Sequence, residues 1–220
     1  MNLTTHEPAR DSSTEKPSMT HSHRGGLQRF STRDLVYIAV LAAVWAVSEN
    51  VLGAQLHAMN IPFSGAFLTA VGVFLMVTCR SFVPKPGSVL TMGVVVALLR
   101  VLSIGAVVIS PMIAIFMEAL LVESVMTLGG TSIVTSSIGG MLAEVWTFLH
   151  PFVVQPLLFG LSMLVIYGRT ISVGAKILGI DPANVVAIVL AFVVLHAIAG
   201  LVAGVVGWRF SVTAKRVLQR

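Results

Sequence analysis

From about residue 34 to 208 the chain alternates long apolar runs with short clusters of Pro, Gly and charge. The runs are close to the roughly 20 residues a helix needs to cross a bilayer, and they show neither strand alternation nor a narrow amphipathic stripe. Breakers place the predicted spans: 34–52, then 64–82 after Ile61-Pro62, and 88–108 after Pro84-Lys85-Pro86-Gly87. The fourth span, 111–130, opens on Pro111 and closes on Gly129-Gly130. As one helix, 132–167 would be about 54 Å long, beyond a hydrocarbon core, and Pro151 and Pro156 interrupt it. It therefore divides into a fifth span, 132–149, and a segment 151–167 that is an outer helix, a tilted continuation or a re-entrant piece. The last span is 184–208.

The expected fold is an all-α polytopic membrane protein of six transmembrane helices. Residues 1–33, polar and without an apolar signal core, are expected to be a disordered cytoplasmic tail, 34–208 the six-span membrane domain, and 209–220 a basic cytoplasmic tail. Hydrophobic residues make up 56% of the chain and charged ones 10%, which is a membrane composition. The single cysteine, Cys79, excludes an internal disulfide. Net charge is +5, but the basic groups flank apolar runs, a pattern of topology and not of nucleic-acid binding. Arg10, Lys16, Arg24, Arg29 and Arg33 precede the first span, Arg80 and Lys85 separate the second and third, and Arg209, Lys215, Arg216 and Arg220 follow the last. Six spans put all of these on the cytoplasmic side with both termini, leaving Arg169 and Lys176 outside; a seventh would expose the C-terminal four.

Ionisable residues recur inside the runs. Arg100, Glu118, Glu123, Glu144 and His196 stand where hydrocarbon would surround them, and a charge at that depth costs a few kcal/mol or more unless paired or wetted. At 1.5 Å per residue, Arg100 and His196 lie about 18 Å along their spans and Glu118 about 10 Å. With Asn50 and Glu49 they converge on the outer half of the bundle. His57, Asn60, His150 and Gln155 form its rim, and Trp45 or Trp146 is placed to stack on a ligand. The candidate substrate-binding residues are Asn50, His57, Arg100, Glu118, Glu144, Trp146, His150 and His196. Each also has a structural reading: Arg100 as a partner of Glu118 or Glu144, Glu123 as a structural or coupling group, and the tryptophans as anchors. His6, His21 and His23 are incidental features of the tail, and no metal site is expected.

Small residues add a packing signal. Ala39 and Ala43 form one four-residue pair and Ala42 and Ala46 another, each allowing close helix approach; Ala199, Gly200, Ala203, Gly204 and Gly207 give the last span a similar face. With Ala39-Val40-Leu41-Ala42-Ala43 in the first span, the chain resembles the membrane-embedded substrate-binding (S) components of energy-coupling factor vitamin transporters over about residues 32–217. Arg80-Ser81-Phe82-Val83-Pro84-Lys85-Pro86-Gly87 looks like the Arg-Lys-Pro-Gly turn of the branch that takes thiamine or its hydroxymethylpyrimidine precursor. The stretch from Leu195 to Gly204 is similar to that branch's last span, with His196 where an arginine is common.

The resemblance implies capture of a small water-soluble vitamin or precursor at a prokaryotic plasma membrane. Ala39, Ala42, Ala43 and Ala46 would dock on a transmembrane coupling subunit driven by two cytoplasmic ATPases. The chain has no Gly-x-x-x-x-Gly-Lys-Ser/Thr loop, so ATP would be used by the partners and no cofactor by this chain. Two non-enzymatic alternatives are a stand-alone proton-coupled transporter and a membrane assembly factor. An intramembrane enzyme finds no support in a His-Glu-x-x-His or Gly-x-Ser-x-Gly motif.

Overall fold

A capping box starts the first membrane helix. Ser31 Oγ accepts from the Asp34 N–H at 3.2 Å while Asp34 Oδ2 accepts from the Ser31 N–H at 2.7 Å, satisfying two donors that a helix end leaves open. The computed structural model describes Met1 and residues 29–59, 63–102, 109–160 and 163–218, and every regular element among them is helical. Helix α1 (Thr32–Val47) passes through a π-helical turn, Ser48–Leu52, into α2 (Gly53–Ala58). Then come α3 (Ser64–Phe82), α4 (Ser88–Leu99) with a 3-10 turn Arg100–Leu102, and α5 (Ile109–Leu128). The chain closes with α6 (Ile133–Phe159), α7 (Met163–Leu178) and α8 (Val185–Leu218). Residues 2–28, with the three tail histidines, lie outside the described residues, as do Asn60 and 103–108.

Five stretches are long and apolar enough to cross a membrane: Thr32–Leu56, Ser64–Phe82, Ile109–Leu128, Ile133–Leu158 and Val185–Leu218. The predicted third span is represented by the shorter apolar helix Ser88–Leu102, about 22 Å long. Exposure is inverted relative to a water-soluble domain: Val186 is 80% exposed and Leu157 79%, while Glu144 is 0% exposed. That is the distribution expected when the outer surface meets lipid and polar groups turn inward.

The small face of the last span packs within the bundle. A Cβ on Gly200 would overlap the Gly140 carbonyl, and one on Gly204 the Ser136 carbonyl, so α6 and α8 touch backbone to backbone. Trp45, Met76, Met92 and Met126 fill the main core. Both described ends of the chain share the end of the bundle at the Pro84-Gly87 turn. Lys85 Nζ lies 2.6 Å from Asp34 Oδ2, and Lys215 Nζ 5.9 Å from the centre of the Phe82 ring.

Three expectations change. The prolines do not end the fifth span: α6 runs through Pro151 and Pro156 to Phe159, about 40 Å, and stops at Gly160, whose left-handed backbone (φ 58°) donates to the Pro156 carbonyl at 3.0 Å. Membrane helices tolerate proline because neighbouring helices and hydroxyl side chains satisfy the freed backbone groups. Residues 151–159 thus continue the span, and Tyr167 belongs to the separate helix α7. The last helix continues past Trp208 to Leu218, carrying Arg209, Lys215 and Arg216 on a helical extension. Arg80, counted among the flanking charges, is only 5% exposed.

Candidate functional site

The bundle holds two buried polar clusters. Near the Pro84-Gly87 turn, Arg80 Nη1 lies 3.1 Å from Glu123 Oε1 and also donates to the Lys85 carbonyl. Glu123 accepts further from the N–H groups of Gly87, Val89 and Leu90 at 2.8, 2.9 and 3.3 Å, and from the Thr127 hydroxyl. Gly87 has φ 88°, a left-handed conformation that turns the chain so the first N–H groups of α4 face the carboxylate. Glu123 is therefore a structural cap, as the sequence reading allowed.

The second cluster occupies the other half of the bundle. Glu118 on α5 reaches Thr69 on α3 and Thr147 on α6, whose hydroxyls lie 3.1 and 2.9 Å from Oε1. Glu118 is within electrostatic reach of Glu49 in the π-helical turn of the first span and of Glu144 on α6. All three carboxyls are buried, at 8%, 3% and 0% exposure for Glu49, Glu118 and Glu144. Glu118 Oε2 and both Glu144 oxygens have no hydrogen-bond partner among the described residues. A buried acceptor without a donor loses its water and gains nothing in return, which marks the group for explanation.

Arg100 makes no ion pair with Glu118 or Glu144 among the described residues. Its Nη1 donates to Asn50 Oδ1 at 2.7 Å and to the Glu49 carbonyl at 2.9 Å, tying the end of α4 to the π-helical turn of the first span. That turn was not predicted; π-turns occur often at functional sites. Trp45 donates to Glu49 Oε1 at 3.3 Å and packs against Gly72, so it is a core residue. His150 Nε2 sits 3.2 Å from Ser110 Oγ, beside Trp146, whose indole N–H has no partner among the described residues. The side chain of His57 lies outside the described residues.

His196 belongs to an aromatic group the sequence reading missed. Its ring centre is 5.4 Å from Phe148 and 6.3 Å from Phe63, and Phe63 and Phe148 lie 5.5 and 5.8 Å from Phe192. Phe63 takes a left-handed backbone conformation (φ 62°), which costs a bulky residue about 1 to 3 kcal/mol and recurs where side chains are aimed for function. A cavity of about 340 Å³ lies beside this group, lined by Phe63, Thr147, Phe148, Arg169, Phe192 and His196 among others. Thr147 links its wall to Glu118. Phe148 and Phe152, four residues apart on α6, were the available signal; Thr69 and Thr147 looked like ordinary residues of apolar runs.

The alanine pairs separate. Ala42 and Ala46 are buried within the bundle, so they are internal packing residues, whereas Ala39 and Ala43 are exposed on a strip with Val36, Val40 and Val47. No group of three or more His, Cys, Asp or Glu among the described residues is placed to hold a metal ion. No family model, curated protein or solved structure matches the chain.

Proposed function

We propose that this chain is the substrate-capture subunit of an uptake system for a small, water-soluble, vitamin-sized molecule. It acts with a transmembrane coupling subunit and two separate ATPases, in the manner of the energy-coupling factor S components it resembles. The reading places six spans in a prokaryotic plasma membrane, with α4 as the short sixth and both termini cytoplasmic. One observation carries it: Glu144, fully buried, with both carboxyl oxygens unpartnered among the described residues, beside the half-satisfied Glu118. Acceptors without donors suit a ligand that brings the donors, and an amine or cationic group satisfies them best. The open Ala39 and Ala43 strip is the docking face in this reading, and Ala42 and Ala46 have no part in it.

A binding screen by mass spectrometry and thermal shift on the purified chain tests the proposal. A vitamin-sized ligand should bind with no ATP turnover, and robust ATPase activity without partners would sink the assignment. Ala39→Leu with Ala43→Leu should abolish co-purification with a coupling subunit while ligand affinity stays unchanged, because leucines block close approach on the exposed strip. The lack of an ion pair to Glu118 or Glu144 among the described residues favours, as second reading, a proton-coupled transporter. Uptake driven by a proton gradient in vesicles lacking ATPases would select it.

A further inference from the structure

His196 Nδ1 lies 2.8 Å from the carbonyl oxygen of Phe192, one turn earlier on α8. A carbonyl can only accept, so Nδ1 carries the hydrogen, and in the neutral ring Nε2 is left as a bare lone pair. No hydrogen bond reaches Nε2 among the described residues, yet the residue is 7% exposed and lines two cavities that Phe63 also lines. The walls around it are the Phe63, Phe148 and Phe192 rings, which favour a flat apolar partner. The hydroxyl hydrogen of Thr147 is directed to acceptors inside the protein, Glu118 Oε1 at 2.9 Å or the Ala143 carbonyl at 3.2 Å. The exposed Arg169 on α7 is the cationic group of the lining.

We propose that His196 is an acceptor that selects, in the cavity between α3, α6, α7 and α8, a flat and largely apolar ring bearing an N–H at its edge. The inference rests on the capture reading and narrows its substrate: the ring lies in the cavity against the phenylalanines that line it and its N–H closes on Nε2. A ring with only acceptors on that edge meets lone pair with lone pair and is rejected, because leaving the buried acceptor unmade costs more than the bond is worth.

Indole and benzofuran are matched probes, bicyclic rings of nearly equal size and shape in which the N–H of one is replaced by the ring oxygen of the other. In the detergent-purified chain labelled with 15N-histidine, His196 should show a protonated Nδ1 and a bare Nε2, and indole should shift the Nε2 resonance while benzofuran leaves it in place. A protonated Nε2 in the free protein overturns the acceptor role. Equal responses to the two probes, or none to either, overturn the N–H selectivity. His196→Gln carries an amide oxygen to about the position of Nε2 and should bind indole within about threefold of the parent. His196→Asn stops near Nδ1 and should bind about three- to tenfold more weakly. Equal affinities of the two variants also count against the proposal. The vitamin screen is read separately: an indole response without any vitamin binding removes the transport reading, and vitamin binding without an indole response removes only this one.

Discussion

Glu123 and Glu144 are the same residue type, each buried in the same bundle, and their surroundings are opposite. Glu123 receives an arginine, three backbone N–H groups and a threonine hydroxyl, whereas Glu144 receives no hydrogen bond among the described residues. The energetic consequence differs accordingly. Donors offset the desolvation of Glu123 and make it a fixed part of the fold, while Glu144 retains its full capacity to accept from something that enters. Burial of a charge in a membrane bundle is thus a poor guide to function until its partners are counted. Arg100 makes the same point: it stands among the acids in sequence position but is spent on Asn50 and a backbone carbonyl.

One substitution at the two sites gives the largest contrast. Glu123→Gln strands the buried Arg80 guanidinium, and about 3 to 5 kcal/mol of stability should be lost, seen as failed expression or a large fall in Tm in detergent. Glu144→Gln orphans no cation and should stay within about 1 kcal/mol of the parent; a loss as large as that at Glu123 would show that Glu144 has a structural partner after all. The comparison sharpens at the level of binding. Glu118→Gln and Glu144→Gln should each weaken an amine-bearing ligand by about ten- to a hundredfold, corresponding to roughly 1.5 to 3 kcal/mol for a charged hydrogen bond, with little change for a neutral analogue. Wild-type affinity in both variants would remove the acids from the site. The smallest effect belongs to the Asp34 and Lys85 pair, whose side chains are partly exposed. Lys85→Ala should cost at most about 1 kcal/mol in thermal unfolding, since solvent screens such pairs. A loss near that of Glu123→Gln would mean that the turn is held by this pair and not by the carboxylate cap.

Much of the architecture was legible in the residues because it depends on local periodicity and on the cost of exposing polar groups to lipid. Apolar runs of span length, the small face of the last helix and the recurrence of Glu118, Glu144 and His196 inside those runs all follow from counting along the chain. The end of the fifth span was set at 149, with a continuation only one of three alternatives, because proline disrupts a helix in isolation, whereas here the surrounding bundle carries α6 through Pro151 and Pro156. Ala42 and Ala39 belong to strips that look alike in sequence, and only the rotation of α1 decides which one is covered.

What the sequence by itself determined is the class of molecule: an all-helical, membrane-type chain whose outer surface is apolar and whose ionisable groups must be dealt with inside. Which of those groups meet was decided by tertiary structure alone. Arg80 reaches Glu123 across 43 residues, Arg100 reaches Asn50 across 50, and Thr69 joins Thr147 beside Glu118 across 78. Each pairing depends on the depth and rotation of helices packed against one another, and a local pattern of residues specifies neither. The carboxyl of Glu144, unpartnered among the described residues, is the remainder of those pairings.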